Sequence, residues 1–405
     1  MNNIIEKISR NKLYFKIAYL ITSLIFITFI VQYKSISSLS SKIMIAWAGL
    51  LILSVFLKNK LKFRTKAPYI FLAFIFLRII STFVTGINKE ALIEIFIDIT
   101  MFIVVFDVDI KKETIEASLD KFIIVTAFLL SVPSIPSLYL YKYEIWKNIK
   151  GTHYGYLNPK CFIGVFGNEN ALGISAAIGI ILTLYIMYKY RNKVVYLIGI
   201  LNIILQGFII SKCNATNALL ILMIFVWGMV LLYFKNIIFR SLYLLLSVFS
   251  AFGVIYYLIH ADKLVVFLHG RYNLWVTALR VIKRNLIFGV GQRNFIPQMN
   301  KYAIGELYGI TGDGTHNLFL QITILSGILV LIAFLIIIAY FFISIIIKND
   351  KVENNKIRIQ NIIIISLLMG LFACNFFETN LLYIISFISI IFWALLGYIY
   401  NLLEY

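Results

Sequence analysis

The chain has 405 residues, 61% of them hydrophobic and 14% charged, against roughly half and about a quarter in a soluble domain. Its 37 Lys and Arg outnumber 18 Asp and Glu, a net charge of +19, yet most of these cations stand in short segments between apolar runs rather than on one basic face. That distribution excludes a nucleic-acid-binding module and points to a membrane protein, with no nucleic acid among its partners.

Apolar runs of about 17–22 residues match the thickness of a bilayer's hydrocarbon layer. Hydropathy places about twelve spans. They run over 13–33, 43–57, 67–86, 91–109, 122–140, 171–190, 194–210, 218–234, 241–259, 318–347, 359–377 and 381–400. The expected fold is therefore all-α, a polytopic membrane helical bundle with a large extracytoplasmic loop that contains an amphipathic helix. It forms one integral membrane domain: nine spans over residues 1–259, the loop over 260–317 and three spans over 318–405. The first run follows a basic start without a small-residue cleavage site, which reads as a retained anchor.

Alternate connections fix the orientation. Lys7, Arg10 and Lys12 precede the first span, and Lys58, Lys60, Lys62, Arg64 and Lys66 separate the second from the third. Later connections on that side carry Lys111, Lys112, Lys121, Lys189, Arg191, Lys193, Lys235, Arg240, Lys348, Lys351, Lys356 and Arg358. The short opposite connections hold Lys34, Lys42, Lys89 and Lys212. The bias puts both termini in the cytoplasm, in the cytoplasmic (inner) membrane. Cys161, Cys213 and Cys374 are too few and too scattered for a disulfide framework or a metal site; Cys161 and Cys213 fall on one side, where a single bridge is open to them.

Two connections are longer than helix packing requires, 141–170 and 260–317. In the second, Arg271–Arg284 reads as a helix lying against the membrane. Asn273, Thr277, Arg280 and Arg284 form a polar stripe, and Arg271 falls among Trp275, Ala278, Leu279 and Ile282 on the opposite face. An inward Arg271 needs an anion or several acceptors; alternatively the side chain snorkels outward. Arg280 and Arg284 read as facing solvent or lipid headgroups. Gly289-Val290-Gly291, with Arg293 just after, suggests a tight turn or a close backbone approach more than a phosphate loop. Thr311-Gly312-Asp313-Gly314-Thr315-His316-Asn317 then leads into the tenth span, which puts His316 and Asn317 at its end and Gln321 one turn deeper. The positive end of that helix suits an anionic ligand and favours a neutral imidazole able to accept a proton; a capping or packing histidine is the alternative.

Taken together, Gly270-Arg271, Trp275, Ala278-Leu279, Phe288-Gly289-Val290-Gly291, Phe295, His316-Asn317, Leu320-Gln321 and Gly327 resemble the signature region of the O-antigen ligase and polymerase superfamily. Phe166-Gly167-Asn168-Glu169-Asn170 resembles a further element of that family, as does the layout of spans with one large late loop. The signature lies within 270–327, and topology extends the likeness over most of the chain. The resemblance implies glycosyl transfer on the outer face of the membrane from an undecaprenyl-diphosphate-linked glycan, the acceptor being another lipid-linked repeat (a polymerase) or lipid A-core (a ligase). It implies that Arg271 holds the carrier diphosphate and that His316 activates the acceptor hydroxyl. Lys212, Arg280, Arg293, Asn317, Gln321 and Glu378 are the candidate substrate-binding residues, Glu378 lying between the last two spans on the outer side, where it would orient His316 or bind sugar hydroxyls; membrane lipid, and a chain-length regulator and flippase of the same pathway, are the further expected partners. Many relatives carry a Ser-Arg pair where this chain has Ser211-Lys212-Cys213-Asn214, so Lys212 would replace a bidentate fork by a point charge. The chemistry is coherent without a metal or other cofactor, because diphosphate is a stabilised leaving group.

Inside the spans, Arg78, Glu94 and Asp98 read as an internal ion pair holding the bundle, or as part of a substrate path. A lipid-linked glycan flippase is a rival of another class. Transporters usually show two related halves and broken midplane helices, and the sequence suggests neither.

Overall fold

The computed structural model describes residues 12–57, 66–105, 112–158, 161–261, 263–268, 270–310 and 314–404. Helix α1 (Lys12–Ile27) passes through a 3-10 turn (Phe29–Gln32) into α2 (Lys34–Leu57), followed by α3 (Ala67–Thr85), α4 (Lys89–Val105), α5 (Lys112–Ser131) and α6 (Ser134–Lys142). An antiparallel sheet of β1 (Trp146–Ile149), β2 (Thr152–Asn158) and β3 (Cys161–Gly164) precedes α7 (Glu169–Tyr190), α8 (Lys193–Cys213), α9 (Thr216–Tyr233) and α10 (Ile237–His260). Then come α11 (Leu264–Phe267), α12 (Arg271–Arg284), α13 (Gly291–Lys301), α14 (Leu318–Ser326), α15 (Ile328–Asp350), α16 (Asn355–Cys374) and α17 (Phe387–Glu404).

Among the described residues, ten helical segments are long and apolar enough to cross a membrane, which makes the chain a polytopic helical membrane protein. The sequence reading counts about twelve. The difference lies in α1 and α4, whose 16 and 17 residues are shorter than the other spans. Helices α7, α16 and α17 form the buried centre, and α10 stands at the rim, touching α9 through Tyr243 and Ser247 against Trp227 and with none of its apolar stretch fully buried. Lys7, Arg10, Lys58, Lys60, Lys62, Arg64, Lys111 and Thr311–Asp313, on which parts of the sequence reading rest, lie outside the described residues.

Several boundaries differ from the hydropathy reading, each for a physical reason. α2 begins at Lys34, nine residues before the expected start; Ser37, Ser40 and Ser41 donate their hydroxyls to carbonyls three or four residues back, so the serine-rich run answers its polar groups within the helix. The fifth span breaks at Val132-Pro133, where proline has no N–H to continue the ladder. Within the 141–170 connection, Trp146–Ile149, Thr152–Asn158 and Cys161–Gly164 form the sheet, the one addition to the helices among the described residues. Cys213 is free and buried, so the bridge left open to it with Cys161 is not formed.

The tenth span is also not continuous. Gly327 separates α14 from α15 with φ +85°, a left-handed conformation that favours glycine. The break is filled by the Leu286–Val290 turn: Val290 N–H donates to the Ile324 carbonyl at 2.8 Å, and Ile328 N–H to the Leu286 carbonyl at 2.8 Å. The backbone groups freed by the break thus find partners within the protein, as a lipid surround demands. Gly289 and Gly291 therefore serve close backbone approach. A Cβ on Gly289 would lie 2.7 Å from the Ile324 carbonyl oxygen, and one on Gly291 2.5 Å from Thr85 Oγ1.

Beside the break, Arg78 of α3 donates to Ser326 Oγ at 2.6 Å, pairs with Glu94 of α4 and approaches Asp98 at 3.7 Å. Its guanidinium stacks 4.3 Å from the centre of the Tyr383 ring. All three ionisable side chains are buried, so removing one partner would leave charge unpaired in an apolar interior. Arg78 pairs with both carboxylates, so the cluster ties α3, α4, the helix break and the 378–386 segment together.

Replacing Gly327 with Ala should lower the thermal stability of the detergent-solubilised protein. The left-handed backbone alone costs about 1–3 kcal/mol in a non-glycine residue, and the new Cβ would fall 1.9 Å from the Ile287 carbonyl oxygen. Gly49→Ala, in α2 with nothing within 4 Å of the added Cβ, is the control and should melt at or above the wild-type temperature. Equal melting of the two variants would show that the turn does not clasp the break.

Candidate functional site

Glu378 follows α16 by four residues, and its carboxylate gathers side chains from four other segments. Its Oε1 accepts from Asn170 Nδ2 at 2.9 Å, from Asn217 Nδ2 at 2.6 Å and from the Arg271 guanidinium at 3.4 Å. Its Oε2 lies 3.8 Å from His316 Nδ1, inside ion-pair range and beyond a hydrogen bond. Glu378, Arg271 and His316 are each between 12% and 16% exposed, largely screened from solvent yet reachable. Asn170 and Asn217 are the second residues of α7 and α9, Arg271 is the first of α12, and His316 stands just before the cap of α14. Four helix N-termini thus meet at one carboxylate with their positive dipole ends.

Local chemistry fixes each of these starts. Asn168 caps α7 by accepting from Ala171 N–H, and Asn317 caps α14 by accepting from Leu320 N–H. Asn214 turns the chain between α8 and α9 in the left-handed conformation that asparagine tolerates. His316 also has positive φ, +50°, held by its neighbours: Thr315 Oγ1 donates to the Asn317 carbonyl, Thr315 N–H donates to Gln321 Oε1, and Trp275 Nε1 donates to the Thr315 carbonyl. The same turn is tied to the Glu378 segment through main chain. Leu318 N–H donates to the Asn375 carbonyl at 3.0 Å, and Asn317 Nδ2 to the Phe376 carbonyl at 3.0 Å.

Two cavities flank this assembly and share Glu169, Asn170 and His316 as walls. One, of about 340 Å³, is lined by Arg271, Asn214, Thr216, Tyr308 and Gly309. The other, of about 350 Å³, contains Glu378 and lies among α1, the start of α7 and residues 384–388. The imidazole presents its two nitrogens differently: Nδ1 faces Glu378, while Nε2 lies against Gly309, where an added Cβ would be 2.8 Å away. Gly309, without a Cβ, lets Nε2 pack close on the side of the cavity that Arg271 also lines.

Of the residues singled out from the sequence, Arg271, His316 and Glu378 come together. Arg271 is neither buried against apolar neighbours nor turned out to solvent; it points to a carboxylate. The other candidates are placed differently. Lys212 lines neither cavity, its ammonium resting 5.6 Å from the Tyr141 and Phe208 ring centres. Arg280 and Arg293 are exposed and line neither cavity. Asn317 and Gln321 also lie outside both linings and spend their side chains on the cap and the Thr315 turn. The α12 helix has the expected limits, but its buried face is Leu274, Thr277, Ala278, Val281 and Ile282. Thr277 is therefore core and Leu279 exposed, because a helix covered from one side buries the stripe its neighbours meet, here α14. Asn170 stands out in sequence only as part of a motif without a role, and Asn217 does not stand out at all. An asparagine at the second position of a helix gives no sign in one sequence of which distant carboxylate it will reach.

Comparison with known proteins finds no matching family and no matching curated protein.

The Asn317 assignment is testable. Asn317→Ala should destabilise the protein by about 0.5–2 kcal/mol or more through loss of the cap and of the bond to the Phe376 carbonyl, whereas Asn317→Ser, whose hydroxyl can still accept from Leu320 N–H, should keep the part that the cap supplies. Thermal unfolding of both variants in detergent measures this, and equal loss from both would place the residue's role elsewhere.

Proposed function

We propose that the protein is a membrane glycosyltransferase that polymerises O-antigen or capsular repeat units from an undecaprenyl-diphosphate-linked donor on the outer face of the cytoplasmic membrane. In this reading about twelve helices span the bilayer, both termini are cytoplasmic, and the end of the bundle that carries Glu378 faces outward, in keeping with the lysine and arginine bias of the opposite connections. The observation that carries the proposal is the convergence of Arg271 and His316 on one carboxylate at the mouths of two cavities. The motif resemblance within 270–327 supplies the substrate class.

The chemistry then runs on the chain's own groups. Arg271 and the surrounding helix N-termini hold the diphosphate and neutralise charge as it leaves. Glu378, 3.8 Å from Nδ1, favours by its charge the tautomer that carries its proton there, with Nε2 as the proton acceptor. An acceptor hydroxyl loses its proton to Nε2, its oxygen bonds the anomeric carbon, and the anomeric carbon–oxygen bond to diphosphate breaks with its electron pair on the diphosphate. Attack opposite the leaving group inverts that centre. Ligation to lipid A-core or another acceptor uses the same steps with a different hydroxyl. In a strain lacking the protein, single repeats on lipid A-core mark a polymerase, and full-length polymer retained on the carrier marks a ligase.

The break at Gly327 favours a second reading, a lipid-linked glycan transporter, because transporters bind substrate at broken helices. Here the freed backbone groups are taken by Leu286 and Val290 rather than left facing a cavity, which weighs for the enzyme.

Arg271→Ala should reduce polymer formation by about 10²–10³-fold, with Arg271→Lys intermediate because a point charge replaces the fork. His316→Ala should slow transfer by about 10²–10⁴-fold while leaving donor affinity near wild type. Glycan profiles and single-turnover assays on membranes with matched protein levels measure both, and wild-type polymer from either alanine variant rejects that residue's role.

A further inference from the structure

We infer that the cavity among α1, the start of α7 and residues 384–388 is a subsite for an uncharged sugar residue of the glycan, and that it discriminates against anionic ones. The inference rests on the glycosyl-transfer reading and adds to it a limit on the substrate. Its volume of about 350 Å³ falls at the lower end of small-ligand pockets, about 300–1,000 Å³. The two cavities differ in their charge. Arg271 lines the neighbouring one, and no Lys or Arg lines this one among the described residues. Its ionisable walls are Glu169 and Glu378, with His316 at the shared boundary. A phosphate, uronate or sialate placed here would meet two carboxylates, while the nearest guanidinium, Arg271, lines the other cavity and is already 3.4 Å from Glu378, an arrangement that disfavours an anion.

A neutral sugar meets suitable partners. Hydroxyl groups donate to carboxylate oxygens and both donate to and accept from amides, and Asn168, Asn170 and Asn380 bring three amides to the walls. Ile174, Ile388 and Phe387 supply apolar surface for the C–H face of a ring. The polar groups stand on helix ends or on the hydrogen-bonded 375–380 turn, where Asn375 Oδ1 fixes Asn380 by accepting from its backbone N–H at 2.8 Å. Elements held by main-chain bonds give the preorganised geometry that sugar recognition needs. Because His316 and Asn170 wall both cavities, a sugar here lies next to the group held by Arg271, so one substrate can place its anionic and neutral parts on either side of the imidazole.

The test uses the full-length protein purified in detergent and three probes: inorganic pyrophosphate, the repeat-unit oligosaccharide released from its lipid by mild acid, and the same oligosaccharide with its terminal primary alcohol oxidised to a carboxylate. The neutral oligosaccharide should bind without displacing pyrophosphate, and oxidation should weaken its binding about tenfold or more; Glu169→Gln should recover part of that loss. Asn380→Leu should weaken the neutral oligosaccharide about five- to tenfold, as the loss of one hydrogen bond to an uncharged group does, with pyrophosphate affinity unchanged. The oxidised probe on the wild-type protein needs no variant to fold. Equal or tighter binding of the oxidised form, competition between oligosaccharide and pyrophosphate, or no saturable binding of the neutral form overturns the inference. Failure of the wild-type protein to transfer any lipid-linked glycan would instead reject the enzymatic reading, and the three binding measurements would still decide separately what the cavity holds.

Discussion

The arrangement of the candidate site depends on the placement of one carboxylate. Four helices begin around Glu378, and each presents a positive dipole end to the same small volume. Without an internal anion, the Arg271 guanidinium and four positive helix ends would face one another across it. Glu378 supplies that anion, and Asn170 and Asn217 hold its Oε1 from two directions. Arg271 makes a single longer contact at 3.4 Å, so its guanidinium keeps donors for a second anion. The carboxylate that balances the positive helix ends thus leaves the cation able to bind.

The distance between Glu378 and His316 is set mainly by the backbone. The 375–378 turn accepts from Leu318 N–H and from the Asn317 side chain, which ties the start of α14 to the end of α16. Asn375, fully buried, also donates to the Leu371 carbonyl and accepts from Asn380 N–H. A side-chain pair at 3.8 Å in a half-open site would be a weak tether. Here it reports a geometry fixed by main-chain hydrogen bonds a few residues away, and the strained left-handed φ at His316 is sustained by the same network.

Much of this architecture is legible in sequence because it follows from one-dimensional patterns. Apolar length locates the long helices, and the limits of α12 follow from its periodicity and the glycine before it. The failures have a common cause: they turn on partners distant in the chain. Hydropathy reads 318–347 as one span because Gly327 sits in a mainly apolar run, and the freed groups of the break are answered by the Leu286–Val290 turn, distant in the chain. Thr277 reads as polar surface, yet α14 covers it. Lys212 has the right charge at the right place along the chain, but Tyr141 and Phe208 turn it away and Asn217, five residues on, reaches the carboxylate instead. Helix ends with an asparagine at the second position are common, and only their convergence gives them meaning.

The two irregular segments solve one problem from opposite sides. In an apolar surround, non-helical backbone is tolerated only where its polar groups are answered internally. The Leu286–Val290 turn answers the break at Gly327. The 378–386 stretch is held by Ser389 and Trp393, which both donate to the Leu381 carbonyl. Arg78 joins the two, bonding Ser326 at the break and stacking on Tyr383 in the stretch. Since Tyr383 lies five residues from Glu378, and Ser326 ends the helix that His316 precedes, the buried cluster braces both halves of the site from beneath. The intramembrane charges then need no place on a substrate path to matter for the site; holding the two irregular segments in register is a sufficient reason for them to be there.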